Sequence, residues 1–121
     1  MAQIVVLEDE RIIKNLITVI LRRNHHVVRQ ASRPQDAERI CNENPVDLLI
    51  ADINLHADIS GTDFGYRLIL AQPKIRWLFI SGTPIECWAE TDKHNLTKMP
   101  ERSYAVLDKP ISPDLLLKTI G

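Results

Sequence analysis

Cysteine is scarce in this sequence: Cys41 and Cys87 are the only two in 121 residues. They stand far apart, form no CxxC pair and have no histidine at ligand spacing, which excludes a disulfide-stapled fold and a thiolate metal centre. Both are expected to be reduced thiols. Charge of one sign is equally lacking, since 15 basic residues against 16 acidic ones leave a net charge of −1. There is accordingly no basic footprint for nucleic acid and no polybasic patch for a membrane surface. Long apolar runs are missing too: Met1-Ala2-Gln3 leads straight into a short run that Glu8 stops, leaving neither a secretory signal nor a membrane span. A cytoplasmic location is the expectation. With no repeat and no low-complexity segment, residues 1–121 are expected to form one domain, and a chain of this length can bury an adequate core without staples.

What is present is a set of short apolar runs that end in charge. Ile4-Val5-Val6-Leu7 ends in Glu8-Asp9-Glu10, Leu48-Leu49-Ile50-Ala51 ends in Asp52, and Ala105-Val106-Leu107 ends in Asp108-Lys109-Pro110. Continuous rather than alternating apolar character marks strands covered on both faces. Further strands are expected at Val27 to Gln30 and Arg76 to Ser81. Between them, Ile13, Leu16, Ile17, Ile20 and Leu21 recur at helical spacing over Arg11 to Arg23. Ser32-Arg33-Pro34-Gln35 has the form of a capping box opening a helix to about Glu43. Another helix is expected from about Asp63 to Ala71. Thr83-Pro84-Ile85-Glu86 repeats the capping signature, so a helix is expected to start at Pro84 with Ile85, Trp88 and Ala89 inward. Glu90 to Arg102 reads as polar and irregular, and Ser112-Pro113-Asp114 caps a final helix.

Five strands alternating with helices imply a doubly wound α/β fold with a five-stranded parallel sheet in the order 2-1-3-4-5. That order gathers Asp9, Asp52, Ser81 and Lys109 at the carboxyl ends of the strands, where open parallel sheets bind ligands. Two carboxylates forced together there repel unless a cation lies between them. Hard oxygen ligands without cysteine or histidine favour Mg²⁺, which binds one or two carboxylates together with a phosphate. Glu8 can hold a water of that ion. Lys109 can clamp an anion and Ser81 can donate to it, so the site suits a phosphoryl group, with Asp52 as nucleophile and Asp9 as metal ligand.

Glu8 and Asp9 after the first strand, Asp52 after the third, Ser81 after the fourth and Lys109-Pro110 after the fifth resemble the response-regulator receiver domain (CheY-like) of two-component signalling. The resemblance extends over essentially the whole chain. It implies a flavodoxin-like (βα)5 fold and a phosphoprotein that takes a phosphoryl group from a histidine kinase or histidine phosphotransfer protein onto Asp52. It further implies that the backbone carbonyl of Asn54 is a Mg²⁺ ligand and that a cis peptide bond precedes Pro110. Such a domain is not an enzyme beyond its own phosphorylation and dephosphorylation, and it passes its signal on by protein contact.

Several positions depart from the family pattern. The aromatic usual three residues before the lysine is Val106 here, Tyr104 lies two residues earlier on the same strand face, and the residue after Pro110 is Ile111. His56 stands where proline is common, and the excess length between Ser81 and Lys109 falls in Thr83 to Arg102. Asp52-Ile53-Asn54-Leu55, Ser60-Gly61 and Phe79-Ile80-Ser81-Gly82 resemble in part an atypical single-domain group. Two other functions compete: a degenerate receiver that binds partners without phosphorylation, and a Mg²⁺-dependent phosphohydrolase with an aspartyl nucleophile. The second needs another acid two residues beyond Asp52, and Asn54 stands there.

Overall fold

The structure, a computed structural model, describes residues 2–55, 60–100 and 103–120. Five strands form one sheet: β1 (Gln3–Leu7), β2 (Val27–Ala31), β3 (Leu48–Asp52), β4 (Arg76–Ser81) and β5 (Tyr104–Asp108). Every neighbouring pair is parallel and the order is β2-β1-β3-β4-β5, as the alternation of runs and helical patterns implies. The helices are α1 (Arg11–Arg23), α2 (Pro34–Glu43), α3 (Gly61–Ala71), α4 (Glu90–Lys98) and α5 (Pro113–Ile120).

Successive strand residues face opposite layers, and each layer has its own helices. Ile4, Val6, Ile50, Leu78, Ile80 and Leu107 pack beneath α1 and α5 with Ile17, Leu21 and Leu116. Val5, Leu7, Leu49, Ala51, Trp77 and Phe79 pack against α2, α3 and α4 with Ala37, Phe64, Leu68 and Leu96. Burial on both faces is why β1 and β3 are apolar throughout their centres. Trp77 is fully part of this core. Its ring meets Phe64 edge-on at 5.6 Å and stacks on Phe79 at 5.5 Å.

Three local expectations need correction. No helix starts at Pro84: Ile85–Cys87 is a single 3-10 turn, and α4 begins at Glu90 inside the stretch whose sequence reads as irregular. Ile85 and Ala89 are exposed, whereas Trp88 is buried. The capping boxes at Ser32 and Thr83 do not form. Arg33 caps α2 without a side-chain bond, and Ser32 instead accepts from Lys14 Nζ at 2.7 Å. Helix α3 starts two residues earlier than expected, because Ser60 Oγ accepts from Asp63 N at 3.1 Å. The cap at Ser112 does form, accepting from Leu115 N at 3.3 Å. His56 lies outside the described residues.

The two cysteines differ sharply. Cys41 is on the buried face of α2, and burial, then the Glu38 carboxylate, push its thiol up to about 11. Cys87 is exposed. Because the thiolate is the reactive form, a disulfide reagent at pH 8 is expected to titrate one thiol in the native chain and the second only after unfolding. Cys87→Ser should remove the fast phase; a fast phase that survives it would refute the assignment.

Candidate functional site

The strand order brings the buried Glu8 and Asp52 together with the half-buried Lys109. Glu8 follows β1 and is fully buried, and Asp52 ends β3 at 4 % exposure. Parallel pairing of β1 with β3 puts their ends side by side. Lys109 follows β5, where its backbone N donates to Ser81 O at 2.7 Å, fixing the last residue of β4 beside it. The Lys109–Pro110 bond is cis. Lys109 Nζ then donates to Asp52 Oδ2 at 2.8 Å and to Glu8 Oε1 at 3.2 Å. Both carboxylates are therefore bridged by one ammonium.

One ammonium is not enough. One oxygen each of Glu8, Asp9 and Asp52 lie within 4.8 Å of one another, so a third carboxylate stands beside the two that Lys109 bridges. Burial, then the hydrogen bond and charge of Asp52, push Glu8 up to about 8 against the pull of Lys109. Glu8 Oε2 is buried with no hydrogen-bond donor. For Lys109, burial works against the charged form, but the bond and charge of Asp52 and the charge of Glu8 outweigh it and raise its pKa above the ordinary lysine value. A hard divalent cation fits what is missing here: a positive charge next to an orphaned carboxylate oxygen, among oxygen ligands only.

The other acceptor oxygen of Asp52 is held by the chain itself. Asn54 N donates to Oδ1 at 2.9 Å, which turns the backbone of Asn54 around the carboxylate. Glu8, Asp9, Asp52 and Lys109, singled out from sequence, thus come together, and Asn54 bonds to the acceptor through its backbone.

Ser81 sits differently from the expectation. It is buried at the end of β4, but its hydroxyl donates to Thr83 O at 2.8 Å and accepts from Thr83 N at 3.0 Å and from Trp88 Nε1 at 3.1 Å. The hydroxyl is engaged with the 83–88 segment rather than with Asp52. Trp88 is thus a functional neighbour that its sequence context marks only as a core residue.

A second set of residues escapes the sequence altogether. Thr62, fully buried at the start of α3, donates to Asp92 Oδ1 of α4 and accepts from Asn95 Nδ2 at 3.2 Å. Asn95 also donates to Asp63 Oδ1 at 2.6 Å. This polar contact ties α4 to the segment that follows the acceptor. No periodic signal could announce it, since its partners stand some 30 positions apart.

Comparison with known proteins accords with this geometry. The family model for the response regulator receiver domain matches residues 4–121. No curated protein matches the sequence. Among solved structures, the receiver domain protein (CheY-like) of Methanospirillum hungatei JF-1 is similar at a TM-score of 0.84 and 20 % identity, covering 99 % of this chain and 90 % of that one. Chemotaxis protein CheY4 of Vibrio cholerae gives 0.83 and 20 %, covering 99 % and 96 %. NtrX of Brucella abortus, solved with ADP, gives 0.83 and 24 %, covering 98 % of this chain but 26 % of NtrX.

Proposed function

The chain belongs to the response-regulator receiver domain family, and from that premise we propose that it accepts a phosphoryl group on Asp52 from a histidine kinase or histidine phosphotransfer protein, with Mg²⁺. The observation that carries the reading is the bridge from Lys109 Nζ to Asp52 and Glu8, beside a Glu8 oxygen that no donor reaches. A carboxylate oxygen of Asp52 attacks phosphorus, the phosphorus–nitrogen bond to the donor imidazole breaks, and the imidazole leaves with the electron pair and takes up a proton. The product on Asp52 is an acyl phosphate. Lys109 keeps its ammonium on the acceptor side and offsets charge on the transferring oxygens. Ser81 supplies a hydroxyl proton to one of those oxygens. Glu8, Asp9, Asp52 and the Asn54 carbonyl are the proposed ligands of the ion, Glu8 through a water. When bound, Mg²⁺ supplies positive charge to the carboxylates and to the phosphoryl oxygens.

The domain on this reading spans 1–121 and acts in the cytoplasm; among the described residues no helix is long and apolar enough to cross a membrane. It turns over no outside substrate, and its output is contact with another protein. Intact mass after incubation with Mg²⁺ and acetyl phosphate tests the reading. A single phosphate-sized adduct, lost when a chelator replaces Mg²⁺, is the expected result. No adduct would favour a phosphorylation-independent binding module, and rapid turnover of assorted phosphate esters would favour a phosphohydrolase.

A further inference from the structure

A hydroxyl has one proton and two lone pairs to offer, and Ser81 has all three committed. Its proton goes to Thr83 O, and its lone pairs take Thr83 N–H and the Trp88 indole N–H. That N–H also reaches Thr83 O at 3.1 Å, so indole, hydroxyl and carbonyl close a small ring of bonds. Ser81 and Trp88 are 1 % and 5 % exposed, which leaves neither of them water as a substitute partner. In this arrangement Ser81 has no proton free for a phosphoryl oxygen on Asp52.

From this closed ring we propose that Trp88 is a positioning residue for Ser81 and the group that reports phosphorylation. It holds the hydroxyl toward Thr83 in the unmodified chain, and it loses the Ser81 partner when that hydroxyl turns to a phosphoryl oxygen. The proposal rests on the reading of Asp52 as phosphoryl acceptor. The direction of the switch follows from bond strength: a hydrogen bond to an ionised oxygen is roughly twice as strong as one to a neutral carbonyl. The place it acts follows from packing. Trp88 links the 3-10 turn Ile85–Cys87 to α4 and lies in the same apolar layer as Leu96 and Met99. Loss of one of the indole's two acceptors therefore reaches α4 directly. A groove of about 440 Å³ lined by Ile85, Glu86, Lys93, Leu96, Thr97 and Tyr104 borders the same segment, so its shape changes with the switch. Val106, on the strand where receivers usually carry an aromatic, has no polar atom through which to sense Ser81.

The test uses the full chain labelled with ¹⁵N, in which two indole N–H resonances are expected. Trp88→Phe identifies the Trp88 signal, and Trp77, whose buried Nε1 has no partner, serves as internal reference. Acetyl phosphate and Mg²⁺ are added while intact mass follows the adduct. The Trp88 resonance is expected to move and its hydrogen exchange to quicken in step with the adduct, with Trp77 unchanged. Ser81→Ala should abolish the movement. Freed of one neutral hydrogen bond holding Ser81 back, Trp88→Phe is expected to acquire the adduct about fivefold faster; a merely structural tryptophan would give slower or unchanged uptake. An adduct formed with the Trp88 resonance fixed overturns this proposal and leaves the acceptor reading standing. No adduct on the wild-type chain overturns both. Should Trp88→Phe fail to fold, two signals of the wild-type chain that stay fixed while the adduct forms still overturn the proposal, and one that moves alone supports it.

Discussion

Asp52→Asn is expected to acquire no phosphate-sized adduct under conditions that modify the wild-type chain, and yet to be no less resistant to urea in the absence of magnesium. The two halves have one cause. Asp52 is the nucleophile on the proposed reading, and an amide cannot form the acyl phosphate. The same carboxylate is also an electrostatic burden on the unmodified fold, since it stands beside the fully buried Glu8 with one ammonium between them. The amide of the variant keeps an acceptor for Asn54 N, gains an N–H that can turn to the orphaned Glu8 oxygen, and leaves Lys109 to Glu8.

The pH dependence supplies the sign. Glu8 is held up to about 8, by burial first and then by Asp52, from an ordinary value of 4.5. A carboxyl group raised in the folded state gives stability that is fully present below the unfolded value and is lost as pH rises through the folded one. Metal-free wild-type protein should therefore lose urea resistance between pH 5 and pH 8. Asp52→Asn removes the second cause of the shift but not the burial, so its loss over the same range should be shallower. Parallel curves for the two proteins would sink the account of Glu8, and an adduct on Asp52→Asn would sink the acceptor assignment.

How far the chain announces all this differs from element to element. β1, β3 and β4 are legible because a strand covered on both faces must be apolar along its length, and the charge after β1 and at the end of β3 marks where the sheet stops there. The acidic pair, acceptor and lysine are legible because the strand order alone brings them together. Helix α4 is not. Its sequence, Glu90–Lys98, buries only Asn95 and Leu96, so it carries no apolar stripe for a periodicity to reveal. It is held instead by Asp92 and Asn95 reaching Thr62 and Asp63 on another helix. Thr83-Pro84 misleads for a related reason: the Thr83 N–H that a capping box would leave to be satisfied locally is taken by Ser81 Oγ. Local pattern reports what a segment does with its own neighbours, and residues 83–98 are organised by partners elsewhere.

Gly61→Ala is expected to cost about 3 kcal/mol, lowering the melting temperature by roughly 10 °C in a domain of this size, while Gly82→Ala should be neutral or slightly stabilising. Both glycines lie near the site, so the contrast isolates one physical effect. A methyl on Gly61 would stand 2.4 Å from Asp52 O, 2.8 Å from Ile53 Cα and 3.0 Å from the Asp52 carbonyl carbon, whereas one on Gly82 meets nothing within 4 Å. All three obstacles at Gly61 are backbone, and they cannot step aside cheaply. Ile53 N is bonded to Ile80 O at 3.2 Å, and Gly61 N itself donates to Ile53 O at 3.0 Å. The strain must go either into the end of β3, moving the Asp52 carboxylate away from Lys109, or into the start of α3, pulling Thr62 from Asp92 and Asn95. Uptake of the phosphoryl group separates these routes. Slower uptake by folded Gly61→Ala shows that the strand end yielded; normal uptake with faster hydrogen exchange in α4 shows that the helix did. A midpoint in urea equal to that of the wild type would mean that α3 does not press on the acceptor strand at all, and the close approach on which both routes depend would be wrong.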